Sequence, residues 1–246
     1  MTIGIVNTAI NRADAQLRDG NHTSTRNNIR LAEETAYKFP SPETQKALEE
    51  GLARVAANAL LRAEAWLNEG DHEGVRNNIR LAEEIVQNLP TEKALAALQN
   101  GYARITAVAC QRAEGWLGHG EHRKTRENVR LAEEVARKIP SSSLIQNTLQ
   151  SGLKRVTAVA LARAEAWLNE GEHDGTRKNI RLAEEIAQRL PAEKIQGTMR
   201  SGLTSVFNAA CQRAEMWTAS GYVSKARSNM ELAEEVRRKA NSYKPA

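Results

Sequence analysis

Aromatic residues are scarce in this chain of 246 residues, at 4% of the sequence, and only two cysteines are present. So few aromatic side chains argue against a conventional core built on Phe, Tyr and Trp, and against a nucleic-acid surface that works by base stacking. Two cysteines cannot form a disulfide-dense scaffold. No run approaches the ~18 apolar residues of a membrane span, and the first residues lack the pattern of a signal peptide. We therefore expect a soluble, cytoplasmic protein.

One motif is repeated five times along the chain. Each copy opens with an equivalent arginine, and the spacings between these arginines are 50, 50, 51 and 50 residues: Arg12, Arg62, Arg112, Arg163 and Arg213. Residues 62–90 and 163–191 are identical at 23 of 29 positions. Repeats of this kind stack on their neighbours to build a continuous core. We predict a single repeat domain with units of about 1–40, 41–90, 91–140, 141–191 and 192–241, and a basic tail over 237–246.

Each repeat has the apolar periodicity of two helices. Between Thr91 and Leu117 the apolar residues follow steps of 3, 4, 3, 4, 4 and 3, at Leu95, Leu98, Tyr102, Ile105, Ala109, Ala113 and Trp116. A second stripe covers residues 72–89, with Asp71 as its N-cap and Pro90 ending it. No strand pattern is present. The prediction is an all-α fold, a right-handed α-solenoid of five helical hairpins with about ten antiparallel helices.

Four glycines in the first helix of the repeat permit two interpretations: Gly51, Gly101, Gly152 and Gly202. Each precedes Leu or Tyr, as in a helix C-cap followed by an apolar contact, which would split the first helix in two. The apolar stripe, however, passes each glycine without a change of phase. We favour one unbroken helix of about 27 residues, in which the glycine marks a close helix crossing at a cost of about 1 kcal/mol.

The repeat resembles the tetratricopeptide repeat. The residues that carry the resemblance are Ala63, Trp66, Gly70, Asp71, His72, Val75, Ile79 and Ala82. Two features depart from that family: the repeat has about 50 residues where the family has about 34, and Arg62 stands where the family usually has an apolar residue. The resemblance implies a tetratricopeptide-like α-solenoid with elongated helices that serves as a scaffold for protein or peptide binding.

No set of residues has the spacing of a catalytic, cofactor or metal site. Four histidines share one position of the repeat, and Val223 replaces the histidine in the fifth copy: His22, His72, His122 and His173. One histidine per repeat cannot surround a single zinc ion, because packed helices lie 8–10 Å apart. Cys110 and Cys211 occupy a position that other repeats fill with Ile or Leu, which predicts apolar packing. We therefore expect no enzymatic activity, no metal and no cofactor.

A polar signature recurs on the second helix. Its members in the second, third and fourth repeats are Arg76, Asn78 and Arg80, Arg126, Asn128 and Arg130, and Arg177, Asn179 and Arg181. Arg80 and Glu84 have the spacing of an i,i+4 ion pair, and Asn78 lies within the apolar arc, where its amide needs partners. One interpretation is a repeated inter-helix bond that fixes the hairpin. The other is a series of identical contacts for a repetitive ligand.

Five acidic residues line one edge of the first-helix stripe, one in each repeat: Asp14, Glu64, Glu114, Glu165 and Glu215. We call them the first-helix carboxylates. If the resemblance holds, they lie in the concave groove, where an apolar floor with a negative rim would bind a basic or amphipathic peptide. In the alternative interpretation each carboxylate pairs with a neighbouring arginine such as Arg62 or Arg76.

The net charge of +5 does not describe a broad basic face. The repeated arginines and carboxylates nearly cancel, and four basic residues cluster near the C-terminal end: Arg237, Arg238, Lys239 and Lys244. We predict a non-enzymatic scaffold that binds a peptide or partner protein in its groove. The atypical first and fifth repeats leave a second function open, self-assembly by end-to-end packing. RNA or DNA binding by a helical-repeat protein is a third alternative.

Overall fold

The computed structural model describes residues 2–243. This part of the chain contains ten α-helices and no strand, so the predicted all-α fold is confirmed. The helices are α1 (Thr2–Arg18), α2 (His22–Lys38), α3 (Pro42–Glu69), α4 (His72–Asn88), α5 (Glu92–Gly118), α6 (His122–Arg137), α7 (Ser143–Glu170), α8 (His173–Ala187), α9 (Ala192–Ala219) and α10 (Val223–Ser242). Each repeat therefore contributes two consecutive helices. Every helix within residues 2–243 is too short or too polar to span a lipid bilayer.

The first helix of the repeat is unbroken, as predicted. Helices α3, α5, α7 and α9 each have 27 or 28 residues and continue through the repeated glycine. A Cβ atom on Gly51 would lie 2.9 Å from the Ile10 side chain, and one on Gly101 would lie 2.5 Å from Leu60 Cδ1. Real Cβ atoms do not approach other atoms so closely, so these glycines mark helix crossings and not helix ends.

The turn inside each hairpin depends on a glycine and a capping residue. Gly70 follows α3 with a φ of 91°, a left-handed conformation that glycine adopts without a steric penalty. Asp71 then caps α4, because its carboxylate accepts hydrogen bonds from the backbone N–H groups of Glu73 and Gly74. The predicted N-cap is confirmed.

The chain divides into two compact units, each formed by helices that pack on one another. One unit comprises the chain up to Ala109 together with Leu131–Gln146, and the other comprises Cys110–Arg130 together with the chain from Asn147 onwards. In the first unit α1 packs on α2 and α3, and α3 packs on α4. In the second unit α9 packs on α10 and α8. The buried stripes combine alanines with Leu, Ile and Val. The handedness of the stack stays a prediction.

Candidate functional site

Three of the first-helix carboxylates form ion pairs with an arginine from the first helix of the next repeat. The pairs are Arg54 Nε with Asp14 Oδ2 at 2.8 Å, Arg104 Nε with Glu64 Oε2 at 3.3 Å, and Arg155 Nε with Glu114 Oε1 at 2.9 Å. Pairing with an arginine was one of the two interpretations, but Arg62 and Arg76 were the wrong partners. The correct arginines lie about forty residues later, one turn beyond the glycine crossing that brings the two first helices together.

Asp14 is the most enclosed member of the series, with 7% of its surface exposed. Its Oδ2 accepts a hydrogen bond from Arg54, and its Oδ1 accepts one from Asn58 Nδ2 at 3.0 Å. A buried carboxylate needs such partners, since an uncompensated charge in the interior is costly. Asp14 therefore joins α1 to α3 and is not available to a ligand.

Glu165 differs from these three. The arginine position of the next repeat is occupied by Ser205, which is too short to reach a carboxylate on α7. Glu165 is half-buried and makes no hydrogen bond or ion pair with any residue that the structure describes. It lines an open cleft between α7 and α9 with a volume of about 540 Å³. The cleft wall on α9 is formed by small residues, including Gly197, Ser201 and Ser205.

The corresponding cleft between α1 and α3 is smaller, at about 330 Å³, and contains Arg54. The difference between the two clefts is explained by the arginine. The Arg54 side chain lies across the space between α1 and α3 to reach Asp14, and so reduces the volume of that cleft. Ser205 leaves the corresponding space between α7 and α9 open and leaves Glu165 facing it.

Glu215 is the last member of the series and is exposed on α9. Burial raises the pKa of the neighbouring Cys211 thiol, and the Glu215 carboxylate adds to the increase. A raised pKa disfavours the reactive thiolate. The equivalent Cys110 is buried, which agrees with the predicted apolar packing position.

The arginines that open the polar signature form a second series of ion pairs, between the second helices of consecutive repeats. The pairs are Arg26–Glu84 at 2.6 Å, Arg76–Glu134 at 2.9 Å, Arg126–Glu185 at 2.7 Å and Arg177–Glu235 at 3.0 Å. The Arg76 guanidinium lowers the pKa of Glu134, mainly through its hydrogen bonds. Glu84 thus pairs with Arg26 of the preceding repeat, where the sequence suggested Arg80 of its own helix.

Asn78 links repeats instead of fixing one hairpin. Its side chain is fully buried, and its Nδ2 donates to the Gly74 carbonyl at 2.8 Å. Its Oδ1 lies 3.3 Å from Nε2 of His22 in the preceding repeat. The same contact joins His122 with Asn179 at 3.2 Å and His173 with Asn229 at 3.3 Å. Asn128 is also buried, and its Nδ2 donates to the Lys124 carbonyl.

The third arginine of the polar signature remains on the surface. Arg80, Arg130 and Arg181 are exposed, and none of them makes a hydrogen bond or ion pair within the described part of the chain. The other signature residues named above form hydrogen bonds or ion pairs, so these three arginines are the ones whose side chains stay free of such contacts in residues 2–243.

Arg62 has a role that the sequence did not reveal. Its Nη1 donates to the Arg18 carbonyl at the end of α1, and its guanidinium carbon lies 5.8 Å from the Trp66 ring centroid. Arg213 makes the same bond to the Asn169 carbonyl at the end of α7. The last carbonyls of a helix lack partners within it, so these arginines satisfy one of them. One feature of the sequence could have indicated this role, because Arg62 stands where the tetratricopeptide repeat usually has an apolar residue.

The predicted basic tail is largely part of α10, which continues to Ser242. Arg237 pairs with Glu234 at 3.0 Å and Lys239 pairs with Glu184 at 2.7 Å. Lys244 lies outside the described residues. Residues 2–243 contain no group of three or more His, Cys, Asp or Glu side chains that could hold a metal ion.

Comparisons with known proteins assign no family to the chain. No protein-family model matches it, and the comparison with curated proteins gives no match. Among solved structures, the crystal structure of BtubC (BKLC) from P. vanneervenii is similar, with 13% sequence identity and a TM-score of 0.20. The match covers 100% of this chain and 93% of that chain. The ten helices of the described residues fit a helical-repeat architecture, and no family model identifies them as tetratricopeptide repeats.

Proposed function

We propose that the chain is a non-enzymatic, tetratricopeptide-like scaffold of the cytoplasm that binds a basic segment of a partner protein in the cleft between α7 and α9. The single observation that supports this proposal is the replacement of the repeated arginine by Ser205. Three equivalent carboxylates carry an arginine, and Glu165 carries none. An arginine of the partner would enter the cleft and make the contact that Arg155 makes with Glu114.

The chemistry of the cleft favours arginine over lysine. In the three internal pairs it is the Nε of the guanidinium that contacts the carboxylate. The planar guanidinium also offers further donors to the hydroxyl groups of Ser201 and Ser205, whereas an ammonium group is a compact point charge. A hydrogen bond to a charged group contributes about 1.5–3 kcal/mol, which corresponds to roughly tenfold to a hundredfold in affinity.

Nucleic acid is the less favoured partner. Four of the arginines that recur along the second helices are neutralised by glutamates, as are the arginines that contact the first-helix carboxylates. Of the arginines in the polar signature, only the exposed Arg80, Arg130 and Arg181 stay without an ion pair among the described residues. Affinity for a phosphate backbone depends on basic groups that are free to replace counterions. The cleft is lined by one carboxylate, Glu165, and one lysine, Lys154, so it offers a polyanion no net positive charge.

The experiment selects 12-residue peptides from a random display library on the whole protein, and then measures the affinity of the best peptide by isothermal titration. We expect arginine to be enriched among the binders. Ser205→Arg supplies the absent arginine from the protein itself and should weaken binding at least about tenfold. Glu165→Gln should do the same, because it removes the charge while keeping the shape.

Ser220→Arg is the matched control, since it adds the same charge at an exposed position that does not line the cleft. It should leave the affinity unchanged. Replacing the selected arginine of the peptide by lysine should reduce binding. If Ser205→Arg binds the peptides as well as the wild type does, the cleft is not the binding site and the proposal is wrong.

A further inference from the structure

The two ends of the repeat array carry unmatched halves of the same ion pair. Each arginine in the series Arg26, Arg76, Arg126 and Arg177 pairs with the glutamate of the next repeat. The fifth member, Arg227 on α10, is exposed and has no such partner among the described residues. The first member of the glutamate series, Glu34 on α2, is likewise exposed and without an ion pair in residues 2–243.

The α1–α2 end also exposes apolar side chains that the other repeats bury. Leu31 is 44% exposed, whereas its four equivalents are at most 1% exposed: Leu81, Leu131, Leu182 and Leu232. Ile5 is 47% exposed, whereas its equivalents are fully buried: Val55, Ile105, Val156 and Val206. Burying one such side chain contributes roughly 1.5–3 kcal/mol, so these two residues mark an uncovered packing face.

The α9–α10 end shows the complementary feature. Met230 is 53% exposed, whereas its equivalents are at most 5% exposed: Ile29, Ile79, Val129 and Ile180. Met230 lies three residues after Arg227 on the same helix, so both face the same side of α10. Methionine adapts to uneven apolar surfaces more readily than β-branched residues do, which suits a contact that forms between separate molecules.

We infer that the chain associates head to tail with a second copy of itself, the α9–α10 end of one molecule packing on the α1–α2 end of the next. In this contact Arg227 pairs with Glu34 of the second copy, and Met230 packs beside Leu31 and Ile5 of the second copy. The occupant is a second copy because the exposed Arg227 and Met230 on one end find counterparts in the exposed Glu34, Leu31 and Ile5 on the other. The arrangement repeats a contact that the molecule already makes between its own repeats.

The interface between copies lacks one hydrogen bond that occurs between repeats inside the molecule. We expect this to lower the affinity of one copy for the next. Val223 occupies the histidine position of the fifth repeat, so Asn28 of the second copy receives no hydrogen bond of the kind that joins His22 and Asn78. The contact between molecules therefore lacks a hydrogen bond that three of the four contacts between repeats contain. It should form reversibly and depend on protein concentration.

The test is sedimentation velocity on the whole chain from low to high micromolar concentration. The wild type should show a mass that increases with concentration. Arg227→Glu and Glu34→Arg each place like charges in contact and should weaken association at least about tenfold. The double variant with both changes restores opposite charges and should associate about as strongly as the wild type. Met230→Ser should weaken association in every background.

Two control variants change the net charge by the same amount as the two test variants, but at other positions. Arg238→Glu and Glu69→Arg change exposed residues whose equivalents are exposed in the other repeats, and they should leave association unchanged. A wild type that stays monomeric at every concentration overturns the inference. So does association that both charge reversals leave intact, because a different surface would then be responsible. Ser205→Arg, which tests the cleft, should not affect association, so the two proposals fail separately.

Discussion

Leu60 on α3 occupies the space that a side chain on Gly101 would need, since the nearest atom, Leu60 Cδ1, lies 2.5 Å from the position of a Cβ at residue 101. Both residues are buried. The relationship recurs between Ile10 and Gly51 and between Leu161 and Gly202. A glycine in a long helix is costly for the helix alone, so its presence here reflects the packing of one repeat on the next.

Gly101→Ala should destabilise the protein. The added methyl group overpacks the crossing, which costs about 1–3 kcal/mol, and the better helix propensity of alanine offsets up to about 1 kcal/mol of this. We expect a net loss of up to about 2 kcal/mol in the free energy of unfolding, measured in urea. Gly115→Ala in the same helix meets no atom within 4 Å and should stabilise the protein by up to about 1 kcal/mol. Equal effects of the two substitutions would contradict the crossing.

The sequence allowed the helices and their crossings to be predicted because those depend on periodicity within one repeat. The phase of the apolar stripe through Gly101 indicated an unbroken helix, and α5 confirms it. The partners of the first-helix carboxylates depend on contacts between repeats, so local spacing suggested Arg62 and Arg76 incorrectly. Aligning the repeats at Arg54 would have shown that Ser205 replaces an arginine. The consequence for the neighbouring carboxylate becomes clear only from the structure, in which Arg54 pairs with Asp14.

Arg76→Met tests the ion pairs between second helices. Both side chains of the Arg76–Glu134 pair are more than a third exposed, so solvent screens the interaction and we expect a loss of only about 0.2–1 kcal/mol at pH 7. Arg76 lowers the pKa of Glu134, so this contribution is present above the unfolded pKa of about 4.3 and is lost as the pH falls below it. Urea unfolding at pH 7 and pH 3 measures the change.

Arg80→Met provides the comparison for Arg76→Met. Arg80 lies one turn later on the same helix and is exposed without an ion pair among residues 2–243. Its removal should alter the free energy of unfolding little at either pH. A pH-dependent loss as large as that of Arg76→Met would show that general charge, and not the pair with Glu134, is responsible.

Tyr102→Phe should lower the free energy of unfolding, and it should also abolish the part of that free energy that the Tyr102 hydroxyl supplies and that the wild type loses at alkaline pH. The buried Tyr102 hydroxyl donates to Glu83 Oε1 at 2.5 Å, and its loss should cost about 1.5–3 kcal/mol at pH 8. Burial, together with the Glu83 carboxylate, raises the pKa of Tyr102. The folded protein therefore keeps this proton while the unfolded chain loses it above about pH 10. The advantage of the wild type is complete below that pH and declines by about 1.4 kcal/mol per pH unit above it.

Unfolding of Tyr102→Phe and the wild type should be compared at pH 8 and pH 11, where the difference between them should narrow. Lysines also lose their protons in this range, so the difference between the two proteins is the informative quantity and not the stability of either. A difference that stays constant with pH would contradict a raised pKa for Tyr102.

His122→Ala should destabilise the contact between the third and fourth repeats. Asn179 is buried, and its Oδ1 has His122 Nε2 as its partner at 3.2 Å. Removing the imidazole leaves a buried carbonyl oxygen without that partner, which costs about 1–3 kcal/mol. His122→Gln keeps a side-chain N–H donor and should recover part of the loss. His119→Ala removes an exposed histidine that packs edge-on against Trp116 and should have a smaller effect. If His122→Gln is as unstable as His122→Ala in urea unfolding, the histidine stabilises the joint by packing and not by its bond to Asn179.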